Sequence, residues 1–479
     1  MRLRHLLLPV GLAVALVAAG TVAAGAATIS NSITVSAGTG ATLTDDFTGF
    51  SFEANILAGT EPSAGNLYQY MKTLGTGVMR FGGNFVDTTF WTSTGEAQPS
   101  WAVATLTPAD LQRLKTLATN SGWQVVLGVN LKQRDPARAA DEAKFAKQIL
   151  GTALKYIEIG NEPNYYPNYS MAQYYSDFEA YRAAINAASP GVGLVGPSDG
   201  RVPAADDWMK DFASRETGHV DIAGFTGHYY PACAKSSPAP TISALLSVTY
   251  RDGEKARASL TQSLAKGLGI PGILGEGNSV SCEGMDGVSD VFASALWGVD
   301  AQLLYARQGL KGFWMHSAIA RCGAPKPLYK AYTPFCAATD ADAAAGLLRV
   351  RPVYYSSLLL QQLGTGKFAP LTNDDLTHLR AYALRSGTTL KLVLVNVTDP
   401  ASNGPMTTTV QLDTPYTSGS QFQLTAPGLT AQTGILLGGH YVGKGGTYAG
   451  PDSTPVAVNG STLTLSLPAG SATVVTLNP

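Results

Sequence analysis

The sequence predicts a (β/α)8 TIM barrel joined to a C-terminal all-β sandwich. Three observations predict it. Short strand-like runs alternate with amphipathic helical runs over about 270 residues, the usual span of a β/α barrel. From about Phe368 the pattern changes to period-two strands and turns, and helical periodicity stops. The chain has 479 residues, more than one ordinary core holds, so a large domain and a smaller one are expected.

In chain order, residues 1–27, "MRLRHLLLPVGLAVALVAAGTVAAGAA", place Arg2 and Arg4 before an apolar stretch that ends in small residues. This reads as a secretory signal peptide cut after Ala27. An uncleaved anchor is the competing reading, disfavoured because the stretch ends rich in Ala and Gly rather than Leu. Residues 28–46 are strand-like and precede the first barrel strand, so they are expected to join the tail sandwich, making that domain discontinuous. The barrel is expected over 47–348 and a linking helix with the sandwich over 349–479.

Eight strand candidates follow: 47–55, 78–84, 123–131, 156–163, 192–198, 222–230, 272–278 and 310–316. Helical patterns separate them. In "TPADLQRLKTLATNSG", Thr107 is the N-cap, Pro108 the first helical residue and Gly122 the stop. "MAQYYSDFEAYRAAINAASPG" ends at Pro190. Strands alternating with helices imply a parallel barrel by the right-handed crossover rule. The tail runs "TTLKLVLVNVTDP", "MTTTVQLDT" and "STLTLSLPAGSATVVTLNP" are strands with Gly, Pro, Asn and Asp turns.

Hydrophobic residues make up 45% and charged residues 14%, a globular composition with a lightly charged surface. A formal net charge of −1 argues against a nucleic-acid groove built from bulk charge. No segment after the leader is long and apolar enough to span a bilayer, so no membrane association is expected once the leader is cut. Cys233, Cys282, Cys322 and Cys336 fall in segments assigned to one face of the barrel. No CxxC pair is present, so a zinc site is not expected, and no metal or cofactor is implied. An even count in an exported chain allows two disulfides with three pairings. Sequence alone does not choose among them; the expected pairing joins Cys233 with Cys282, across the neighbouring loops after strands six and seven, and Cys322 with Cys336, closing a short loop after strand eight.

The chemistry concentrates in two stretches. "KYIEIGNEPNYYP" (155–167) brings Glu162 to the end of the fourth strand candidate, and "GILGEGNS" (272–279) brings Glu276 to the end of the seventh. Barrel active sites lie at the C-terminal ends of the strands, and strands four and seven face each other across the mouth. A lone glutamate there is more often a capped strand end or a surface ion pair. Two that face each other are what glycoside hydrolysis needs: one protonated to serve the leaving oxygen, the other ionised to attack the anomeric carbon.

"IGNEP" and "GEGNS", with "FSFEAN", "MRFGGN", "GHYYP", "GVSDVFASALWGVD" and "RPVYYSSLLL", resemble glycoside hydrolase family 79, the β-glucuronidase and heparanase-like retaining enzymes. The resemblance covers nearly the whole chain after the leader. It implies that Glu162 is the acid/base and Glu276 the nucleophile. Asn161 would bind the hydroxyl beside the anomeric carbon, and Glu53 and Asn84 hydroxyls at the far side of the ring. Arg80 and Tyr230 would hold the nucleophile, with His228 a structural partner of either. Trp314, on the eighth candidate, is either a floor for the sugar or core packing. In glucuronide-cleaving members, backbone N–H groups of the loop after the nucleophile, often with a tyrosine, bind the uronate carboxylate. Here that loop reads "GNSVSCEGMDGVSD", with Gly284 and Gly287 but also Glu283 and Asp286 and no tyrosine. The matching later tyrosine is Tyr332 in "AYTPFC".

The sequence thus implies a secreted retaining β-glycosidase acting on a carbohydrate, first an exo-acting β-glucuronidase taking glucuronic acid or its 4-O-methyl form. A retaining β-glycosidase for neutral sugars is the alternative, since Glu283 would repel an acidic sugar. A non-catalytic carbohydrate-binding protein is the third reading, and the presence of both glutamates argues against it.

Overall fold

The computed structural model describes residues 29–201 and 207–479. The leader assigned to 1–27 lies outside the described residues. Eight parallel strands close into a barrel: β1 Thr48–Glu53, β2 Val78–Gly82, β3 Gln124–Val129, β4 Leu154–Ile159, β5 Leu194–Asp199, β6 Ile222–Tyr229, β7 Gly272–Gly277 and β8 Phe313–His316. They pair in sequence order, with β8 returning to β1. Among the described residues no helix is long and apolar enough to cross a membrane.

Each strand faces the barrel interior with every second residue. The N-terminal interior layer is apolar: Val78, Val126, Val195, Ile273 and Trp314 form one buried cluster. Trp314 is 1% exposed, and its indole fills the space beside Gly49, where a Cβ would come within 2.1 Å of the ring. It plugs the barrel and does not line its mouth; the residue that ends β8 at the mouth is His316. The next interior layer is polar: Ser51 on β1, Arg80 on β2 and Glu158 on β4, all fully buried.

The local signals act where the sequence puts them. The helix Pro108–Ser121 starts on Thr107, whose N–H and hydroxyl both reach Asp110 Oδ2 at 2.7 Å, and stops at Gly122 with φ 77°. The helix Met171–Ala188 ends at Ser189, before Pro190.

The tail is a sandwich of two sheets. One holds Leu371–Asn373, Ser30–Val35, Met406–Gln411 and Thr462–Leu467. The other is built on Leu379–Ser386, Thr389–Asn396, Ser471–Asn478 and Ser418–Thr425. Ile33, Val410 and Leu465 from the first meet Leu392, Val475 and Leu477 from the second in one core. The segment before the barrel serves both sheets, since Thr42–Leu43 pairs with Gly366–Phe368 of the second. The other face of the larger sheet, with Tyr382, Val393 and Val474, joins the barrel's own core. There Asp300 is buried among Arg251 at 3.0 Å, Arg380 at 3.3 Å and the Tyr382 hydroxyl, so the domain seam is a neutralised polar cluster inside apolar packing.

Candidate active site

The mouth of the barrel is organised around a buried arginine. Arg80 Nε donates to Glu158 Oε2 at 2.6 Å, and Nη2 donates to Asn161 Oδ1 at 2.8 Å. Nη1 donates to Ser51 Oγ at 2.8 Å and to Glu276 Oε2 at 2.9 Å. Ser51 is the direct β-partner of Arg80, so the reach across β1 and β2 is set by register. A guanidinium with no exposure needs this much anionic company.

Glu276 lies within β7. Its second oxygen, Oε1, accepts from the Tyr230 hydroxyl at 2.9 Å. Burial alone would raise this carboxyl, but the surrounding His316, Arg80 and Lys330 outweigh it and hold it well below the usual carboxylate range. It stays ionised.

Glu162 is not the last residue of its strand. β4 stops at Ile159, Gly160 turns with φ 79°, and Glu162 itself sits at φ 45°. Its N–H donates to Ser198 O at 3.0 Å, which anchors this strained turn to β5. Burial, then the charge of Glu276, push the Glu162 carboxyl up to about 8. His228 Nδ1 lies 3.1 Å from Glu162 Oε1. Burial pushes that imidazole down to about 4, so it is neutral. One oxygen of each glutamate and a ring nitrogen of His228 lie within 4.8 Å of one another. Among the described residues this is the one group whose donor atoms are close enough to hold a cation, but both Glu276 oxygens already accept hydrogen bonds and Arg80 supplies the positive charge.

The remaining sequence-predicted residues fall as follows. Asn161 bridges Arg80 and Asn84, donating to Asn84 Oδ1 at 3.1 Å. Glu53 ends β1; its Oε2 accepts the Phe85 N–H at 3.0 Å and its Oε1 lies 2.7 Å from Lys330 Nζ. Burial raises the Glu53 carboxyl, and Lys330 and His316 overcome that to bring it down to about 2. Tyr332 is 3% exposed, with its ring 5.9 Å from that of Tyr230. Gly284 is placed differently from its expected role as a carboxylate donor. Its N–H faces Ser281 O at 3.4 Å, and a Cβ there would meet Tyr332 N at 2.8 Å. It is a glycine because two loops touch, at φ 80°. Asp286 is directed to Lys326, 4.0 Å away.

Sequence reasoning missed Ser51, Glu158, His316 and Lys330. His316 Nδ1 is 3.2 Å from Ser51 Oγ and 3.6 Å from Glu276 Oε2, and Nε2 is 2.9 Å from Lys330 Nζ. Glu158 precedes the "GNEP" stretch by two residues, and its interior parity on β4 was the available signal. Lys330 carried no such signal, since it comes from a loop.

The four cysteines pair as Cys233–Cys282 and Cys322–Cys336, with Cα separations of 5.3 and 5.1 Å. The first ties the loop after β6 to the loop after β7. Cys336 lies in a short buried strand, Phe335–Ala337, and not in a loop.

Residues 381–474 match the glycosyl hydrolase family 79 C-terminal beta domain. A β-glucuronidase of Aspergillus niger is 52% identical over 48 residues, which is 10% of this chain and 9% of that protein. Among solved structures, a 4-O-α-L-rhamnosyl-β-D-glucuronidase from Fusarium oxysporum in complex with Rha-GlcA superposes with TM-score 0.74 at 21% identity, covering 93% of this chain and all of that one. A family 51 arabinofuranosidase from Xanthomonas axonopodis pv. citri gives TM-score 0.68 at 15% identity over 94% of this chain and all of that one. At these identities the superpositions establish the shared fold.

Proposed function

We propose, on the premise that this chain is a member of glycoside hydrolase family 79, that it is an exported retaining β-glycosidase whose preferred glycone is β-linked glucuronic acid. One observation carries the mechanism. Glu162 and Glu276 approach within 4.8 Å, with the first held protonated and the second ionised at neutral pH. So close an approach favours double displacement, where the carboxyl groups are about 5–5.5 Å apart, over inversion, where about 6.5–9.5 Å leaves room for a water.

Glu276 attacks the anomeric carbon while Glu162 gives its proton to the leaving oxygen. The glycosyl ester forms on Glu276. Its negative charge is lost in the step, so Glu162 becomes easier to ionise and takes a proton from the water that releases the sugar. Arg80 and Tyr230 keep the Glu276 carboxylate ionised and fix its orientation. Ser198 O and His228 hold Glu162.

The two disulfides support a passage through an oxidising compartment, in keeping with export. A neutral glycone is the second reading. The observation favouring it is Glu283, a partly buried acid in the loop after β7. The experiment is trapping: a 2-deoxy-2-fluoro-β-glucuronide with a good leaving group, followed by peptide mass spectrometry. A glycosyl adduct on Glu276 is the expected result. Steady hydrolysis with inverted anomeric product and no adduct would overturn the double-displacement reading.

A further inference from the structure

We infer that Lys330 is the residue that reads the acidic end of the substrate, its ammonium binding the carboxylate of a uronic-acid glycone alongside the Tyr332 hydroxyl. This rests on the glycosidase reading above and supplies its missing cation.

Lys330 lies fourteen residues beyond the end of β8, in a segment where Tyr329, Lys330, Ala331 and Tyr332 are 3%, 8%, 0% and 3% exposed. The segment is pinned over the mouth. Ala331 N–H donates to Glu283 O at 2.8 Å, and the Asn278 amide donates to Tyr332 O at 3.1 Å and to His316 O at 3.0 Å. The ammonium therefore has a fixed address on a loop held by its neighbours.

An ammonium has three protons and accepts none. One goes to Glu53 Oε1 at 2.7 Å, and a second points toward His316 Nε2, 2.9 Å away and itself 3.3 Å from Glu53 Oε1. Nδ1 of the same ring faces Ser51 and Glu276. Among the described residues no third acceptor lies within hydrogen-bonding distance of Lys330. Its side chain keeps 10% accessibility, like that of Glu276 and close to the 9% of Glu53. Other cations around the site are differently engaged. Arg80 is spent on Glu158, Ser51, Asn161 and Glu276, and Lys326 on Gly284 O and Asp286. The Gly284 N–H is directed at Ser281 O rather than offered to a ligand.

The Glu53–Lys330 pair presents one strong acceptor and one strong donor side by side. A uronic acid matches this with a hydroxyl on C4 and a carboxylate on the adjoining C5: Glu53 accepts from the hydroxyl and Lys330 donates to the carboxylate. A neutral hexose offers a second hydroxyl instead, which gains less from a buried ammonium than an anion does.

The test compares 4-nitrophenyl β-D-glucuronide with 4-nitrophenyl β-D-glucoside for the wild type, Lys330→Met and Lys330→Arg. It adds competitive inhibition by D-glucuronate and D-glucose. Folding is checked by Tm and near-ultraviolet circular dichroism. The expected result is that Lys330→Met lowers the glucuronide-to-glucoside ratio of kcat/KM by roughly 10–100-fold, the range for losing a hydrogen bond between charged groups, and weakens inhibition by glucuronate but not by glucose. Lys330→Arg recovers part of the ratio. If the wild type favours the glucuronide and Lys330→Met lowers both substrates equally, Lys330 only supports Glu53 and the inference is overturned while the glucuronidase reading stands. If the wild type favours the glucoside, the glucuronidase reading falls first. Should Lys330→Met not fold, the wild type decides: inhibition by glucuronate no stronger than by glucose overturns the inference.

Discussion

Arg80 Nη1 stands 2.9 Å from Glu276 Oε2, and the same guanidinium binds Glu158 through Nε at 2.6 Å. The proposed nucleophile is therefore held by a cation that is itself held from below. Replacing Arg80 by Met would leave Glu158 and Glu276 buried without their shared charge, at a cost of about 3–5 kcal/mol. Arg80→Lys keeps the charge but loses the fork, so it should fold and lose kcat by about 100-fold or more. Chemical denaturation and steady-state kinetics on the two variants check this. Equal stability of Arg80→Met and wild type would contradict the arrangement.

The two carboxyl groups set the pH profile. The double displacement proposed above needs Glu276 ionised and Glu162 protonated. With Glu162 at about 8, the alkaline limb of kcat/KM should fall there, while the acid limb lies below the ordinary carboxylate range. Glu162→Gln should abolish the alkaline limb and keep measurable turnover only for substrates with very good leaving groups. An alkaline limb that persists unchanged in Glu162→Gln assigns it to another group.

Glu142 gives a stability test away from the site. Burial, then Asp141, push its carboxyl up to about 8. A carboxyl raised in the folded state binds its proton more tightly there than in the unfolded chain. Its contribution is fully present below about 4.5 and is lost as pH rises through about 8. Glu142→Gln should thus raise Tm relative to wild type at pH 9 and change it little at pH 4. A Tm difference that does not depend on pH would refute the assignment.

The disulfides close loops of different length, 49 residues for Cys233–Cys282 and 14 for Cys322–Cys336. Loop-closure entropy predicts a loss of roughly 2–4 kcal/mol for each paired Cys→Ser replacement, larger for the longer loop. Urea titrations of the two double variants compare them. A greater loss from the shorter loop would place the stabilisation in packing around buried Cys336 instead.

The barrel and the glutamate pair were legible because they rest on local periodicity and on turn residues: eight alternating runs, and Gly160 or Gly277 beside each carboxylate. Strand ends were less so. Glu162 sits three residues past β4, because a left-handed turn extends beyond the last ladder bond and alternation does not mark it. What supports the pair was mostly invisible. Glu158 and His316 matter only once β4 and β8 are curled to the same mouth, and Lys330 only once its loop folds back over β1. Trp314 shows the reverse case: an aromatic near a strand end that closure turns into core filler.

Glu283 provides the last prediction, because its charge and its backbone act in opposite directions. Its carbonyl accepts the Ala331 N–H at 2.8 Å and so helps to hold the residue next to Lys330 in place. Its side chain, partly buried, puts a negative charge in the same loop pair. That charge opposes an anionic sugar on approach, yet water near a partly buried carboxylate screens it. Glu283→Gln removes the charge and leaves the backbone contact. Activity on the glucuronide should rise about 2–5-fold at low ionic strength, converge on wild type in ~0.5 M salt where screening is short-ranged, and stay unchanged on the glucoside. Gln is the right probe here: Glu283 sits at φ 71°, so a Gly variant would also relax the turn and confuse charge with geometry. If Glu283→Gln instead inverts a wild-type preference for the glucoside, the acid is a device that rejects uronates, and the glycone is a neutral sugar.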